Sequence, residues 1–322
     1  MTARAALIDL DAAAGAPYRA PVAISLQDAV EVPRLLLQAA FAWALPPRAW
    51  PGVARWLGRL NASSHPRRSE DERANIEKVV QGVAGMPPSR DLVAGFYAGR
   101  YEERFQFLRA ASGWEPTLRI HGAEHVQAAR NAGRGIVLWA GNFALNDLVS
   151  KIAWCRLGLA VSHYTRPVHG LSKTRFGIAV LNRIRSAPED RYLAERISAE
   201  TNLAGAMGVL SQRLGQRGAV SLTVGNRGKK LVSAPFLGGR LVLATGAPFL
   251  SFASGAALLP TFTVRGSDGV IDVVVGPPLA STETTRDAHA ADIIRQYAAA
   301  LDPYVRRAPL QWRGWRYTAA AA

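Results

Sequence analysis

The chain has 322 residues, 49% of them hydrophobic and 20% charged, with a net charge of +15 and a single cysteine, Cys155. That is enough chain and apolar content for a large buried core, and one cysteine excludes an internal disulfide and fits a reducing compartment. The excess of positive charge calls for anionic partners: nucleic acid, anionic lipid, or phosphate-bearing donors and carrier proteins.

Residues 1–30 are rich in Ala, Pro and Gly and read as a flexible arm. Helical spacing follows from Val32 to Leu60, bent at Pro46-Pro47. Within it, Pro33–Trp56 sets Leu35, Leu36, Leu37, Phe41, Trp43 and Trp56 among Arg34, Arg48 and Arg55. Such a segment suits a helical hairpin packed on the core, the favoured reading, and it also suits a membrane surface. No stretch reaches the roughly 18 uninterrupted apolar residues of a membrane span, and the first residues do not show the basic-then-apolar pattern expected of a signal peptide. The expected location is cytoplasmic, with peripheral contact at the inner face of the membrane left open for residues 33–56. Asn61–Asp71 reads as a polar break, after which Ser69-Glu70-Asp71-Glu72 opens a helix. Ser89 can cap another helix to Ala110, whose stripe Leu92, Phe96, Tyr97, Tyr101 and Phe105 reads as core.

From Leu118 the pattern alternates strand and helix. Strands are expected over Leu118–His121, Ile136–Ala140, Leu159–Tyr164, Ala219–Val224, Leu258–Val264 and Gly269–Val275. Helices are expected over Ala123–Ala132, Phe143–Leu157, Asn202–Gln216, Thr245–Ser254 in part, and Asp287–Arg306. Pro235–Gly239 reads as a loop, and Cys155 as a packed helix residue. The fold class is therefore α/β, a mostly parallel sheet flanked by helices with a helical N-terminal region. The divisions are an arm at 1–30, a helical part at 31–115 and an α/β core at 116–322, the last two forming one structural domain.

The stretch Gly135–Asp147 is central: a buried strand, a tight turn at Gly141, then a helix that Asn142 could cap. Ligands of open α/β sheets collect at that carboxyl end of the strands. Asn142 and Asp147 sit there, or are merely a cap and an exposed helix residue. The next strand ends in His163, Tyr164 and Arg166, with His169, Lys173 and Arg175 beyond, and a later one runs into Asn226, Arg227, Lys229 and Lys230. A basic edge of this kind suits phosphates or a developing oxyanion. No metal-ligand spacing, Walker loop, dinucleotide fingerprint or nucleophile elbow is present.

These residues carry a resemblance. The chain resembles the late lipid A biosynthesis acyltransferases (lauroyl and myristoyl type) of the lysophospholipid acyltransferase superfamily. Gly135–Asp147 occupies the family's strand-turn-helix G-x-x-x-x-x-G-H-F-x-x-x-[DE], and Tyr164-Thr-Arg166-Pro167 its Y-R-P, with one extra residue. Gly225-Asn226-Arg227-Gly228 loosely matches D-Q-x-x-G, and Pro235–Gly238 and Thr245-Gly246-Ala247 match later segments. Pro309-Leu-Gln311-Trp312 with Trp315 matches the P-x-Q-W-x-W ending, so the likeness runs from about residue 70 to 316.

The resemblance implies transfer of an acyl group from acyl carrier protein (ACP) or coenzyme A to an acceptor, with acyl-ACP or acyl-CoA as donor substrate and no tightly bound cofactor or metal. In the family a histidine removes the acceptor's proton and a carboxylate orients it. Here the histidine position is Asn142, which has no basic nitrogen, while Asp147 remains. Losing a general base lowers a rate by roughly 10²–10⁴-fold, which bears less on an amine acceptor than on a hydroxyl. The catalytic candidates are Asn142, Asp147 and His163, the last as a substitute base. The substrate-binding candidates are Tyr164, Arg166, Arg175, Asn226 and Arg227. The alternatives are a non-catalytic relative that binds a carrier protein or partner enzyme, and a nucleic-acid binder. No helix-turn-helix, zinc or RNA-binding signature supports the last, and no nucleic-acid partner is expected.

Overall fold

The computed structural model describes residues 5–13, 22–166 and 170–321. Helices come first. Strand β1 (Ala6–Asp9) and the one-turn α1 (Leu10–Ala13) precede α2 (Leu26–Ala44). Ser25 and Asp28 close the N-terminus of α2 reciprocally, each side chain accepting the other's backbone N–H. After the bend at Pro46-Pro47 come α3 (Trp50–Ser64) and α4 (Pro66–Val80). The expected break at Asn61–Asp71 is instead helical on both sides of His65. Proline opens the second helix because its missing N–H would have no partner in a first turn anyway. Helix α5 (Ser89–Ala110) buries Leu92, Phe96, Tyr97 and Phe105 of the predicted stripe and leaves Tyr101 half-buried. Ser89 begins that helix rather than capping it. Helix α3 lies close on α5 at Gly58, where a Cβ would stand 2.6 Å from the Ala94 carbonyl oxygen.

The rest alternates. In chain order come β2 (Leu118–His121), α6 (Ala123–Asn131), β3 (Ile136–Ala140), α7 (Asn146–Arg156), β4 (Val161–Thr165) and α8 (Arg183–Glu189). Then follow β5 (Glu195–Ser198), α9 (Leu203–Gly215), β6 (Ala219–Thr223), β7 (Leu231–Phe236) and β8 (Gly239–Ala244). The last are α10 (Gly246–Ser254), β9 (Ala257–Arg265), β10 (Ile271–Val275), α11 (Arg286–Arg307) and β11 (Thr318–Ala320).

The main sheet has the order β1-β5-β4-β6-β3-β9-β10-β2. All neighbours are parallel except β9 and β10. Strand β3 is central and both its faces are covered. Val137 and Trp139 join the cluster that includes Leu210 of α9 and Tyr297 of α11, while Ile136, Leu138 and Ala140 pack with Val126 of α6 and Trp154 of α7. This is why it reads as an unbroken apolar run. Within the stretch expected to be an arm, Ala6–Asp9 pair with β5 as the edge strand.

Two local expectations are corrected. Pro235–Gly239 is no loop: β7 and β8 form a hairpin around Leu237 and Gly238, extended by β11 into a second, antiparallel sheet. Pro235 is tolerated because β7 pairs on one side only, and an edge strand can lack a donor. Cys155 is exposed in the last turn of α7, not packed.

Candidate functional site at the carboxyl edge of the sheet

Strands β5, β4, β6 and β3 are adjacent and parallel, so their carboxyl ends open on one edge. Glu200, Arg166, Asn226 and Asn142 follow those ends within a few residues. In a doubly covered sheet this edge is where backbone leaves the core and polar groups become accessible.

The turn after β3 is held by β9 and by the C-terminal tail. The Gly141 N–H donates to the Thr261 carbonyl at 2.7 Å, the Arg313 N–H to the Asn142 carbonyl at 2.8 Å, and the Ala144 N–H to the Gln311 carbonyl at 2.7 Å. Phe143 and Trp312 form an antiparallel bridge between them. The Gln311 amide reaches β9, accepting from the Arg265 N–H at 2.8 Å and donating to its carbonyl at 3.1 Å. Trp312 packs against Trp315 and Phe236. The Pro309–Trp315 ending, whose second tryptophan comes one residue later than in P-x-Q-W-x-W, is thus a staple over the turn. Helix α5 approaches from the other side at Gly99, where a Cβ would stand 2.7 Å from the Ala144 Cβ.

Asn142 does not cap a helix. Helix α7 starts at Asn146, behind Leu145, because the tail occupies the turn's backbone and delays the first helical bond. The half-buried Asn142 amide instead donates to the Tyr317 hydroxyl at 2.7 Å. The same hydroxyl lies 4.0 Å from the Cβ position of Gly225, beyond the end of β6. Asn142, Tyr317 and the start of the Gly225–Gly228 segment therefore meet at one place.

Asp147 points away from solvent and is 5% exposed, so it is not a surface residue of α7. Arg185 of α8 pairs with it, and Arg313 lies 3.5 Å away. Both guanidiniums also bind Glu103 of α5, at 3.3 and 2.7 Å. Arg185 lies 3.6 Å from Glu189, which in turn holds Lys151 at 3.2 Å and Arg196 at 2.8 Å, and Arg196 binds Asp190. Among the described residues, four carboxylates and four cations thus form one charge-balanced lattice, buried except for the half-buried Arg185 and Arg313. Burial alone would raise the Glu189 carboxyl, but Lys151, Arg196 and Arg185 outweigh it and hold it well below the usual range. Burial pushes Lys151 down, against the pull of Glu189.

The other sequence candidates fall in different places. His163 is mid-strand and buried, its Nδ1 sharing a hydrogen bond with Ser221 Oγ at 2.8 Å. It faces the α7–α8 layer, since Val161 and Ala219, two residues before each partner, pack there. Tyr164 faces the opposite layer, where burial first of all raises its phenol and its hydroxyl donates to the Ala199 carbonyl. Arg166 is tied to Glu200 at the end of β5 by paired guanidinium bonds. That segment is in turn organised by Asp11, which accepts the N–H groups of Glu200, Thr201 and Asn202. Asn226 is half-buried and Arg227 exposed, just past the Tyr317 hydroxyl. Arg175 is exposed and stands apart, its N–H bonded to the Val22 carbonyl before α2. Pro167 and His169 lie outside the described residues. The residues missed by sequence reasoning are Tyr317, Arg313, Arg185 and Glu103. Arg313 had one signal, its place between Trp312 and Trp315; the others lie in ordinary surface-like runs.

A groove of about 890 Å³ runs from α3 and α5 to the turn. Trp50, Ala98 and Trp114 line it beside Arg55, Arg59 and Ala144. Among the described residues no group of His, Cys, Asp or Glu could hold a metal ion, and no helix is long and apolar enough to cross a membrane.

Compared with known proteins, residues 39–315 match the family model of the bacterial lipid A biosynthesis acyltransferases. No curated protein matches the chain.

Proposed function

Because the chain belongs to the bacterial lipid A biosynthesis acyltransferase family, we propose that it transfers an acyl group from a thioester of acyl carrier protein or coenzyme A to an amine, hydroxyl or other small acceptor at the Asn142 turn. The observation that carries this is the Asn142–Tyr317 hydrogen bond at the sheet's carboxyl edge, where the family places its histidine. An asparagine amide has two N–H donors. One is given to Tyr317, leaving the other to polarise a thioester carbonyl, as in an oxyanion hole. A neutral amine acceptor then forms the C–N bond, the C–S bond breaks, and the amine's proton passes to the leaving thiolate. No strong base is needed, which fits a site where the motif histidine is absent. Asp147 serves as an anchor for the turn through Arg185 and Arg313, not as a proton acceptor. His163, buried in mid-strand against Ser221 on the α7–α8 side, is poorly placed as a substitute base.

The exposed Arg227 and Arg175 supply positive charge for an acidic carrier protein or the phosphates of coenzyme A, whereas Arg166 is paired with Glu200. The groove of about 890 Å³ takes the acyl chain. The exposed face of α2 and α3, with Leu36, Leu37, Trp43 and Trp56 beside Arg34, Arg48 and Arg55, suits peripheral contact with an anionic membrane on the cytoplasmic side. Nucleic acid has no place in this reading.

The test is intact-mass analysis with a panel of acyl carrier protein and coenzyme A thioesters, offering amine and hydroxyl acceptors. Transfer that falls on Asn142→Leu supports the reading. One observation favours a non-catalytic relative: the motif carboxylate is already engaged by two arginines. Tight carrier-protein binding with no turnover would establish that alternative.

A further inference from the structure

Between α2, the end of α3 and α5 lies a second recess, of about 350 Å³. Helix α5 lines it with Arg100 and Arg104, α2 with Glu31 and Arg34, and the α3–α4 junction with Asn61 and His65. Its charges do not balance. Arg104 binds Glu31 at 2.7 Å, so that pair is neutral. Arg34 and Arg100 have no carboxylate within ion-pair distance among the described residues. Arg34 and Arg100 are both exposed at the recess; partial desolvation, then Arg104 and Arg313, press the Arg100 guanidinium below its usual range, against the pull of Glu103.

Position connects this recess to the candidate site. Arg100 precedes Glu103 by three residues, so the two are about 60° apart around the helix. Glu103 faces Arg313 and Arg185 of the buried lattice, whereas Arg100 faces the recess. Arg100 therefore stands at the seam between the two. Leu171, a few residues beyond the end of β4, also lines the recess. Uncompensated guanidiniums around a recess repel one another unless an anion completes them. Guanidinium groups match phosphate oxygens in geometry and charge.

We propose that this recess binds a phosphate group carried by a substrate, with Arg34 and Arg100 as its charge partners. The proposal rests on the acyl-transfer reading only for which substrate brings the phosphate: the pantetheine arm of the donor or the headgroup of a lipid acceptor. Phosphate binding itself is read without turnover, so the two ideas fail separately.

The experiment is calorimetric titration of the full chain with inorganic phosphate at low ionic strength. Arg34→Gln and Arg100→Gln should each weaken binding roughly tenfold, the effect of one charge-assisted contact. Arg130→Gln, an equal charge change on distant α6, should leave it unchanged. Arg34 and Arg100 are both exposed, so each variant is informative on its own. Competition then separates the sources. Displacement of phosphate by pantetheine 4′-phosphate but not pantetheine assigns the donor. Displacement by short-chain phosphatidic acid but not diacylglycerol assigns the acceptor. Equal binding by all variants, or equal loss with Arg130→Gln, overturns the site. Failure of both phosphorylated competitors overturns its assignment to a substrate.

Discussion

Replacing Asp147 by alanine tests whether the motif carboxylate has become a structural anchor. The residue is 5% exposed and sits in a lattice of Glu103, Asp147, Glu189 and Asp190 against Lys151, Arg185, Arg196 and Arg313. Removing it leaves one positive charge in excess, with Arg185 and Arg313 sharing Glu103. Deleting one partner of a buried pair destabilises by about 3–5 kcal/mol, much of it from the charge left behind. Asp147→Ala should therefore lower stability by about that amount, a large part of the roughly 5–15 kcal/mol of a typical domain. Arg313→Ala should act similarly, and the double variant, which restores neutrality, should fall short of the sum by about 1–3 kcal/mol. Urea denaturation of the wild type, both single variants and the double variant gives the coupling. A loss below about 1 kcal/mol for Asp147→Ala, of the size seen for exposed pairs, or strict additivity, would refute the lattice as the reason for this residue.

Other outcomes follow from the same geometry. Gly58→Val should separate α3 from α5 and lower the melting temperature, because its Cβ would stand 2.6 Å from the Ala94 carbonyl; an unchanged melting curve would contradict that contact. Burial tends to raise the Asp11 carboxyl, but hydrogen bonds from Glu200, Asn202 and Thr201 together lower it to about 2. A depressed folded pKa means its contribution is full above the ordinary value of about 4 and is lost as the pH falls from there through about 2. Asp11→Asn should thus be less stable at neutral pH and lose less on acidification, measured as melting temperature against pH. Trp43→Ser with Trp56→Ser should abolish flotation with anionic vesicles, since both indoles are 55% exposed beside arginines; retained flotation would remove that face from the membrane proposal.

The sheet was legible because its strands carry their own signal. Ile136–Ala140 is apolar throughout since both faces are covered, and the bounds read from sequence coincide with those of β3. Strands β1 and β5 were not legible: β1 has only Ala6–Asp9 at the sheet's edge, and β5 carries Glu195 and Arg196, whose charges find their partners Arg213, Glu189 and Asp190 only in the folded chain. The hairpin of β7 and β8 was hidden by Pro235, which an edge strand accommodates. At the site, the strand ends and Asn142 could be read from local pattern alone. What Asn142 touches could not, because Tyr317 lies 175 residues away in sequence and only the folded tail brings it there. The partners of Asp147 are hidden for the same reason, since each arginine alone looks like a surface charge.

The central claim is that acyl transfer proceeds at the Asn142–Tyr317 site without a histidine base. Its most direct test is mass-resolved transfer from an acyl thioester to an amine acceptor by wild type, Asn142→Leu and Tyr317→Phe. The account predicts transfer by the wild type, a loss of roughly 10²-fold or more for Asn142→Leu, as for removal of an oxyanion donor, and a smaller loss for Tyr317→Phe. Wild-type transfer undiminished in Asn142→Leu, or no transfer from any thioester, would contradict it.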